Sequence, residues 1–267
     1  MYELEYVRKR KRKKRAVIIG GIALIGLTSL CITAFLGRYV GTFTVSLESK
    51  NVNLTLSEKS SFKESTSFLR VHELPPFHES TYKDIREVGD DVIDSEDSDY
   101  TLGANPEMES MRFFKYTFFI KNAGYQPAKY DLSLRIKENV ASSDGRKLDD
   151  TLRVMVYQNG GKPKVYAKRL SVPHQDEEGN PGDYRAPISV DKNESTEEYP
   201  FEGYADMFVS TEEIMTQKGD QAISLQPGQV RKYTIVTWLE GFRSSNEQTA
   251  PEGASIKLGV EINAYEN

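Results

Sequence analysis

The sequence of 267 residues contains a single cysteine, Cys31, which lies inside an apolar run. No disulfide can form within residues 38–267, so a folded domain there depends on its hydrophobic core alone. A eukaryotic secreted domain more often uses disulfides, and their absence favours a bacterial surface protein. A lipoprotein acylation site needs a small residue just before its cysteine, where Leu30 stands here. We interpret Cys31 as a small apolar filler of the run.

Catalytic motifs are also missing. The chain has no His-Glu-x-x-His, and of its histidines, His72, His78 and His174, only the first two lie near one another. A zinc site normally needs three protein ligands, so we interpret His72 and His78 as two solvent-facing histidines. There is no Gly-x-Ser-x-Gly nucleophile motif and no glycine-rich phosphate loop. The sequence predicts a protein that is not an enzyme and takes no small-molecule substrate.

Positive charge is concentrated at the N-terminus. Residues 1–15 carry eight basic side chains against Glu3 and Glu5, and residues 16–37 carry no charge. Because the whole chain has a net charge of −5, residues 38–267 carry −11. Nucleic-acid binding needs clustered lysine and arginine, so we expect no nucleic-acid partner.

The apolar run from Ala16 to Gly37 is long enough to span a membrane. Its 22 residues would form a helix of about 33 Å, against about 30 Å for a bilayer's hydrocarbon core. A cleaved signal peptide has a shorter apolar core of about 7–15 residues and small residues at the cleavage site, so we favour a retained signal-anchor. Cations beside the membrane add about 1 kcal/mol each on anionic lipid. The anchoring cations are Arg8, Lys9, Arg10, Lys11, Arg12, Lys13, Lys14 and Arg15.

The positive-inside rule gives the orientation of this single-pass protein in the cell membrane. It predicts a cytoplasmic basic tail over residues 1–15, a transmembrane signal-anchor over 16–37 and an extracellular domain over 38–267.

A period of two recurs in the extracellular part. Phe114, Tyr116 and Phe118 alternate with Lys115 and Thr117, a pattern typical of a strand with one face in a core and one in water. Similar patterns predict strands over 39–47, 52–56, 68–74, 112–121, 129–137, 152–156, 164–170, 229–240 and 255–265.

Helical signals are short and few. One or two turns are expected over 81–88, and a short helix over 210–219, where Ser210 and Glu213 have capping-box spacing and Gly219 supplies a stop. The fold class predicted is all-β, an antiparallel two-sheet sandwich of jelly-roll or Greek-key type. Long insertions over about 57–111 and 158–220 interrupt it. Trp238 lies in a strand of alternating apolar residues, so we expect it in the core.

An acidic stretch offers a speculative calcium site. Its carboxylates are Asp90, Asp91, Asp94, Glu96, Asp97 and Asp99. Oxygen-rich loops of this kind can bind calcium, although the spacing fits no EF-hand and acidic loops are usually only solvated. Calcium is the one cofactor that the sequence suggests.

Three features together resemble the camelysin/TasA-type proteins of Firmicutes. They are the basic–apolar segment followed at once by a strand, the run from Phe118 to Gly124, and Pro227-Gly228 leading to Trp238-Leu239-Glu240-Gly241 and a final strand. The family-like motif residues are Asn122, Gly124, Trp238, Glu240 and Gly241. The resemblance implies a β-sandwich of the cell surface or biofilm matrix. Because camelysin-like proteins have been described as metalloproteases, it also implies a metalloprotease as an alternative, against which the missing His-Glu-x-x-His motif counts. The chain departs from similar proteins after Gly241, where Phe242-Arg243-Ser244-Ser245 replaces Asp-Pro-Glu-Cys, and in lacking a cleavable signal ending.

Two functional hypotheses follow. The first is a membrane-anchored surface protein, structural or part of an envelope complex, that works by contact with a protein partner or by self-association, with an edge strand as the contact. The second is a ligand- or calcium-binding ectodomain that uses residues 90–99 and 171–205. A cleaved, secreted TasA-like matrix protein remains a further alternative.

Overall fold

The predicted alternation of apolar and polar residues forms strands throughout the described part of the chain. The computed structural model describes residues 41–71, 79–86, 88–90, 104–105, 110–174, 182–189, 192, 195–197, 200–241, 251 and 253–266. All of them belong to one compact unit, Tyr39–Asn267.

The described strands are β1 Gly41–Ser49, β2 Leu54–Ser57, β3 Phe68–Val71, β4 Ala104–Asn105, β5 Ser110–Met111, β6 Phe114–Asn122, β7 Ala128–Val140, β8 Leu152–Gln158, β9 Lys164–Ala167, β10 Asp206–Met207, β11 Glu213–Gln217, β12 Ile223–Leu225, β13 Val230–Leu239 and β14 Ser255–Glu266. The described α-helix, α1, is a single turn, Tyr82–Ile85. Two 3-10 turns cover Leu148–Asp150 and Gly219–Gln221.

The strands form two six-stranded sheets. Sheet A has the order β11-β7-β14-β1-β3, and β12 also pairs with β7. Sheet B has the order β10-β9-β8-β13-β6-β2, while β4 and β5 pair only with each other. The described part of the chain is therefore mostly β with almost no helix, as the sequence predicts for residues 38–267.

Both sheets are mixed, which corrects the prediction of purely antiparallel pairing. β1 runs parallel to β14 over nine pairs, from Gly41 opposite Ile256 to Ser49 opposite Ala264, and β10 runs parallel to β9. Parallel neighbours need a long connection, and about 200 residues separate β1 from β14 along the chain. Alternation within one strand shows which face is buried, but it does not show the direction of a distant neighbour.

The main core contains buried residues from both sheets. The ring of Phe43 on β1 lies 5.3 Å from that of Phe114 and 5.2 Å from that of Tyr116, both on β6. The hydroxyls of Tyr130 on β7 and Tyr233 on β13 lie 2.8 Å apart. Side chains of this size bury much apolar area, and their tilted and stacked rings add specific geometry. The two sheets thus share one hydrophobic core.

A second core covers the other face of sheet B. Trp238 and Val236 on β13 and Met155 on β8 pack there against Ile85 of α1. α1 begins with a capping box in which the side chains of Thr81 and Asp84 bond across its first turn. The helical turn predicted over 81–88 and the burial of Trp238 are confirmed. The insertions thus supply a cover for this sheet.

This cover corrects the expectation that β6 has one face in water. Lys115 and Thr117 are buried instead, because residues 88–90 lie over them. The short helix expected over 210–219 is also wrong. The hydroxyl of Ser210 accepts hydrogen bonds from the backbone N–H groups of Glu212 and Glu213, but strand β11 follows and pairs with β7. A serine turn of this type can precede a strand as readily as a helix, and tertiary pairing decides between them.

Candidate functional site

The predicted membrane anchor, residues 8–37, lies outside the described residues. Within the part of the chain that the structure describes, no helix has the length and apolar character needed to cross a bilayer.

Asp90 is the one residue of the acidic stretch that the structure describes; Asp91, Asp94, Glu96, Asp97 and Asp99 lie outside the described residues. The Oδ1 atom of Asp90 lies 2.5 Å from the Nζ atom of Lys232 and accepts a 2.6 Å hydrogen bond from the Thr234 hydroxyl. Both charged side chains are nearly buried, with 9% of Lys232 and 7% of Asp90 exposed. Asp90 therefore neutralises a buried lysine here.

Four outward-facing side chains of sheet B form a polar cluster beneath residues 88–90, which we call the lysine cluster: Lys115, Thr117, Lys232 and Thr234. The ammonium of Lys115 donates to the backbone oxygen of Val88 at 3.2 Å, and that of Lys232 donates to the backbone oxygen of Asp90 at 3.0 Å. The two threonine hydroxyls lie 2.9 Å apart. The cluster attaches the insertion to the sheet, because a buried ammonium needs nearby oxygen acceptors.

Asn122 and Gly124 of the family-like motif organise a hairpin end. The Asn122 amide donates to the backbone oxygens of Gln126 at 2.8 Å and Leu225 at 2.9 Å. Its Oδ1 accepts a 2.9 Å hydrogen bond from the N–H of Gly124. One buried side chain thus joins the turn between β6 and β7 to β12, and its role is structural.

Trp238, Glu240 and Gly241 lie where β13 ends beneath the cover. The indole N–H of Trp238 donates to the buried carboxylate of Glu240 at 3.0 Å. The N–H of Gly241 donates to the backbone oxygen of Ser80 at 2.8 Å. A Cβ atom on Gly241 would lie 3.1 Å from that of Glu79, so this crossing is tight. The motif therefore attaches the segment before α1 to sheet B.

Two of the three histidines, His72 and His78, lie outside the described residues. The ring of His174 packs 5.5 Å from the ring of Tyr204. The structure contains no group of three or more histidine, cysteine, aspartate or glutamate side chains arranged to hold a metal, within its described residues.

The outer edge of sheet B is the candidate interaction site. β10 ends the sheet, and residues 208–209 continue past it; Met207 in β10 and Val209 after it are 44% and 56% exposed. Phe208, between them, packs against the main core and donates its N–H to the backbone oxygen of Ala167 at 2.9 Å. Two apolar side chains therefore point outward from a strand edge. This edge could not be predicted from the sequence, because residues 206–209 lie inside a long insertion.

The chain matches no family model, and no curated protein and no solved structure matches it either. The resemblance to camelysin/TasA-type proteins rests on the motifs alone.

Proposed function

We propose that the chain is a membrane-anchored surface protein of a bacterium that acts by contact with another protein. In this proposal the two sheets form a sandwich of jelly-roll or Greek-key type, held outside the cell by the segment over residues 16–37. The uncharged run, the basic tail before it and the shared core of the two sheets support this proposal. The motif resemblance to surface and matrix proteins agrees with it.

The exposed edge after β10 is the observation that carries the contact. A strand at the end of a sheet presents unpaired backbone groups, and natural proteins usually protect such edges with charge, proline or a covering segment. Here Met207 and Val209 add two exposed apolar side chains on one side of the edge, while the N–H groups of Ala205 and Val209 on either side already donate to the backbone oxygens of Ala186 and Ile214. An extended segment of a partner protein can lie against this edge at Met207 and bury both side chains.

Site-specific photo-crosslinking in the native host tests this contact. A photoreactive residue replaces Met207 or Val209 in the full chain, and Val172, which is 72% exposed elsewhere, serves as the matched control. We expect one protein adduct, identified by mass spectrometry, from positions 207 and 209 and none from 172. Equal labelling at all three positions, or labelling at 172 alone, would contradict the edge as the contact.

The tether has its own test. The intact mass and N-terminus are measured separately in the membrane and medium fractions of the host. We expect full-length protein in the membrane fraction only. A product in the medium that begins near Gly37 or Tyr39 would overturn the anchor and favour the alternative of a secreted, self-associating TasA-like protein.

A further inference from the structure

A cavity of 240 Å³ opens at one flank of the molecule, between β8 and β9 of sheet B and β11 of sheet A. Its floor includes the apolar side chain of Met215, which belongs to the main core. Around this floor stand Gln158, Lys162, Lys164, Tyr166 and Gln217. The cavity is smaller than the roughly 300–1,000 Å³ of drug-sized ligand pockets, so it suits a small ligand or one unit of a longer chain.

The lysines at this cavity make it attractive to an anion. Lys162 and Lys164 are exposed, and neither forms an ion pair within the described residues. No carboxylate is among the described residues that line the cavity. This is unusual because residues 38–267 carry a net charge of −11. Two ammonium groups without a carboxylate partner favour a ligand that carries a carboxylate or phosphate group.

The other polar side chains of the cavity can form hydrogen bonds with hydroxyl groups of a ligand. The Gln217 side-chain oxygen accepts a 3.4 Å hydrogen bond from the Tyr233 hydroxyl, which leaves the amide nitrogen as a donor. Gln158 offers both a donor and an acceptor. The Tyr166 hydroxyl is protonated at neutral pH and can donate, since the ordinary pKa of tyrosine is about 10 and burial and the nearby Asp206 carboxylate raise it further, to about 12.

An added peptide strand fits this flank less well. The pairing of β11 with β7 shifts register between Glu213 and Met215, and such a bulge distorts the strand that a peptide would have to follow. A compact ligand with hydroxyl groups, one apolar face and an acidic group can contact every type of side chain that lines the cavity.

We propose that this cavity binds a saccharide that carries a carboxylate or phosphate group. The proposal goes beyond the contact at β10 and depends on neither that contact nor the membrane tether.

Isothermal titration calorimetry on the full chain in detergent micelles tests it, with glucose 6-phosphate, glucuronate and neutral glucose as probes. We expect at least one acidic sugar to bind at least tenfold more tightly than glucose. The double variant Lys162→Gln/Lys164→Gln should weaken that binding at least tenfold, and Lys162→Arg/Lys164→Arg should keep it within threefold. Lys50→Gln/Lys63→Gln, the same charge change at exposed sites elsewhere, should have no effect. Thermal melting followed by the fluorescence of Trp238, the single tryptophan, verifies that each variant is folded.

Three results would overturn the proposal. The first is that neither acidic sugar releases or absorbs heat at a concentration of about 10 mM. The second is that glucose binds as tightly as the acidic sugars, and the third is that the double glutamine variant leaves the binding of the acidic sugars unchanged. Tighter binding of an octaglutamate peptide than of both acidic sugars would assign the cavity to an acidic protein segment instead.

Discussion

The substitution Lys232→Met tests whether the lysine cluster holds the insertion onto sheet B. Methionine keeps an unbranched side chain of similar length but removes the ammonium that lies 2.5 Å from Asp90. The carboxylate then stays buried with the Thr234 hydroxyl as its remaining side-chain hydrogen-bond donor among the described residues. Removing one partner of a buried ion pair costs about 3–5 kcal/mol, because the other charge is left without compensation.

For a domain of this size, each kcal/mol of lost stability lowers Tm by about 2–4 °C, so the expected fall is about 6–20 °C. Thermal unfolding of the full chain, followed by circular dichroism, measures it. The matched control is Lys257→Met, which breaks an exposed pair with Glu138 whose side chains are 45% and 46% accessible. Exposed pairs contribute less than about 1 kcal/mol, so this control should shift Tm by only a few degrees.

A second variant separates the buried charge from the lost packing. In Asp90→Asn/Lys232→Met both charges are gone, and we expect it to be more stable than Lys232→Met alone. The reasoning is refuted if Lys232→Met lowers Tm no more than Lys257→Met does. It is also refuted if Asp90→Asn/Lys232→Met is no more stable than Lys232→Met alone.

Three other changes test further features of the fold. Asn122→Ala removes three hydrogen bonds of the hairpin end and should lower the free energy of unfolding in urea by about 2–4 kcal/mol. The control Asn263→Ala, on the exposed face of β14, should lower it by less than about 0.5 kcal/mol. Equal costs would contradict the role given to Asn122. Gly259→Ala places a Cβ atom 2.7 Å from the Thr44 hydroxyl and should lower the free energy of unfolding by about 1–3 kcal/mol. Adding Thr44→Ala should restore most of the lost stability. A lack of rescue would show that another contact is responsible. Hydrogen bonds from Ser142 and then Arg146 lower the pKa of Asp144 to about 2, so the stability that they add to this turn is fully present above pH 3.8 and is lost as the pH falls towards 2. Ser142→Ala should raise the pKa of Asp144 in a carboxyl-carbon NMR titration. A pKa near 3.8 in the unmutated protein would contradict the hydrogen-bonded turn.

The strand content could be predicted because burial and alternation coincide in most strands. Alternation along β13 places Tyr233, Ile235 and Leu239 on one face and Val236 and Trp238 on the other, and the two cores contain these two groups separately. Local periodicity carries this information, since each side chain points to the opposite face from its neighbour.

The relative direction of neighbouring strands and the segments that cover a sheet could not be predicted in the same way. Lys115 and Thr117 look like surface residues because lysine and threonine are usually exposed, yet a segment about 27 residues earlier covers them. The parallel neighbours β1 and β14 are set by contacts across most of the chain. One residue in the sequence could have indicated this covering segment: Asp90 supplies the negative charge that a buried lysine requires.

The candidate sites were the least predictable part. The motif residues that carry the resemblance, such as Asn122 and Gly241, hold loops together. The exposed edge at Met207 and the cavity beside Lys164 depend on which strands end a sheet, and no local pattern contains that information.

The parallel pairing of β1 with β14 determines how this domain would respond to mechanical force. If tension enters at Gly41 and leaves at Glu266, it acts along both strands in opposite directions and loads them in shear. All nine residue pairs then share the load together, whereas a hairpin pulled at its open end loses its hydrogen bonds one after another. A chain held at its N-terminal end and pulled from its C-terminal end would therefore resist rupture at the centre of sheet A.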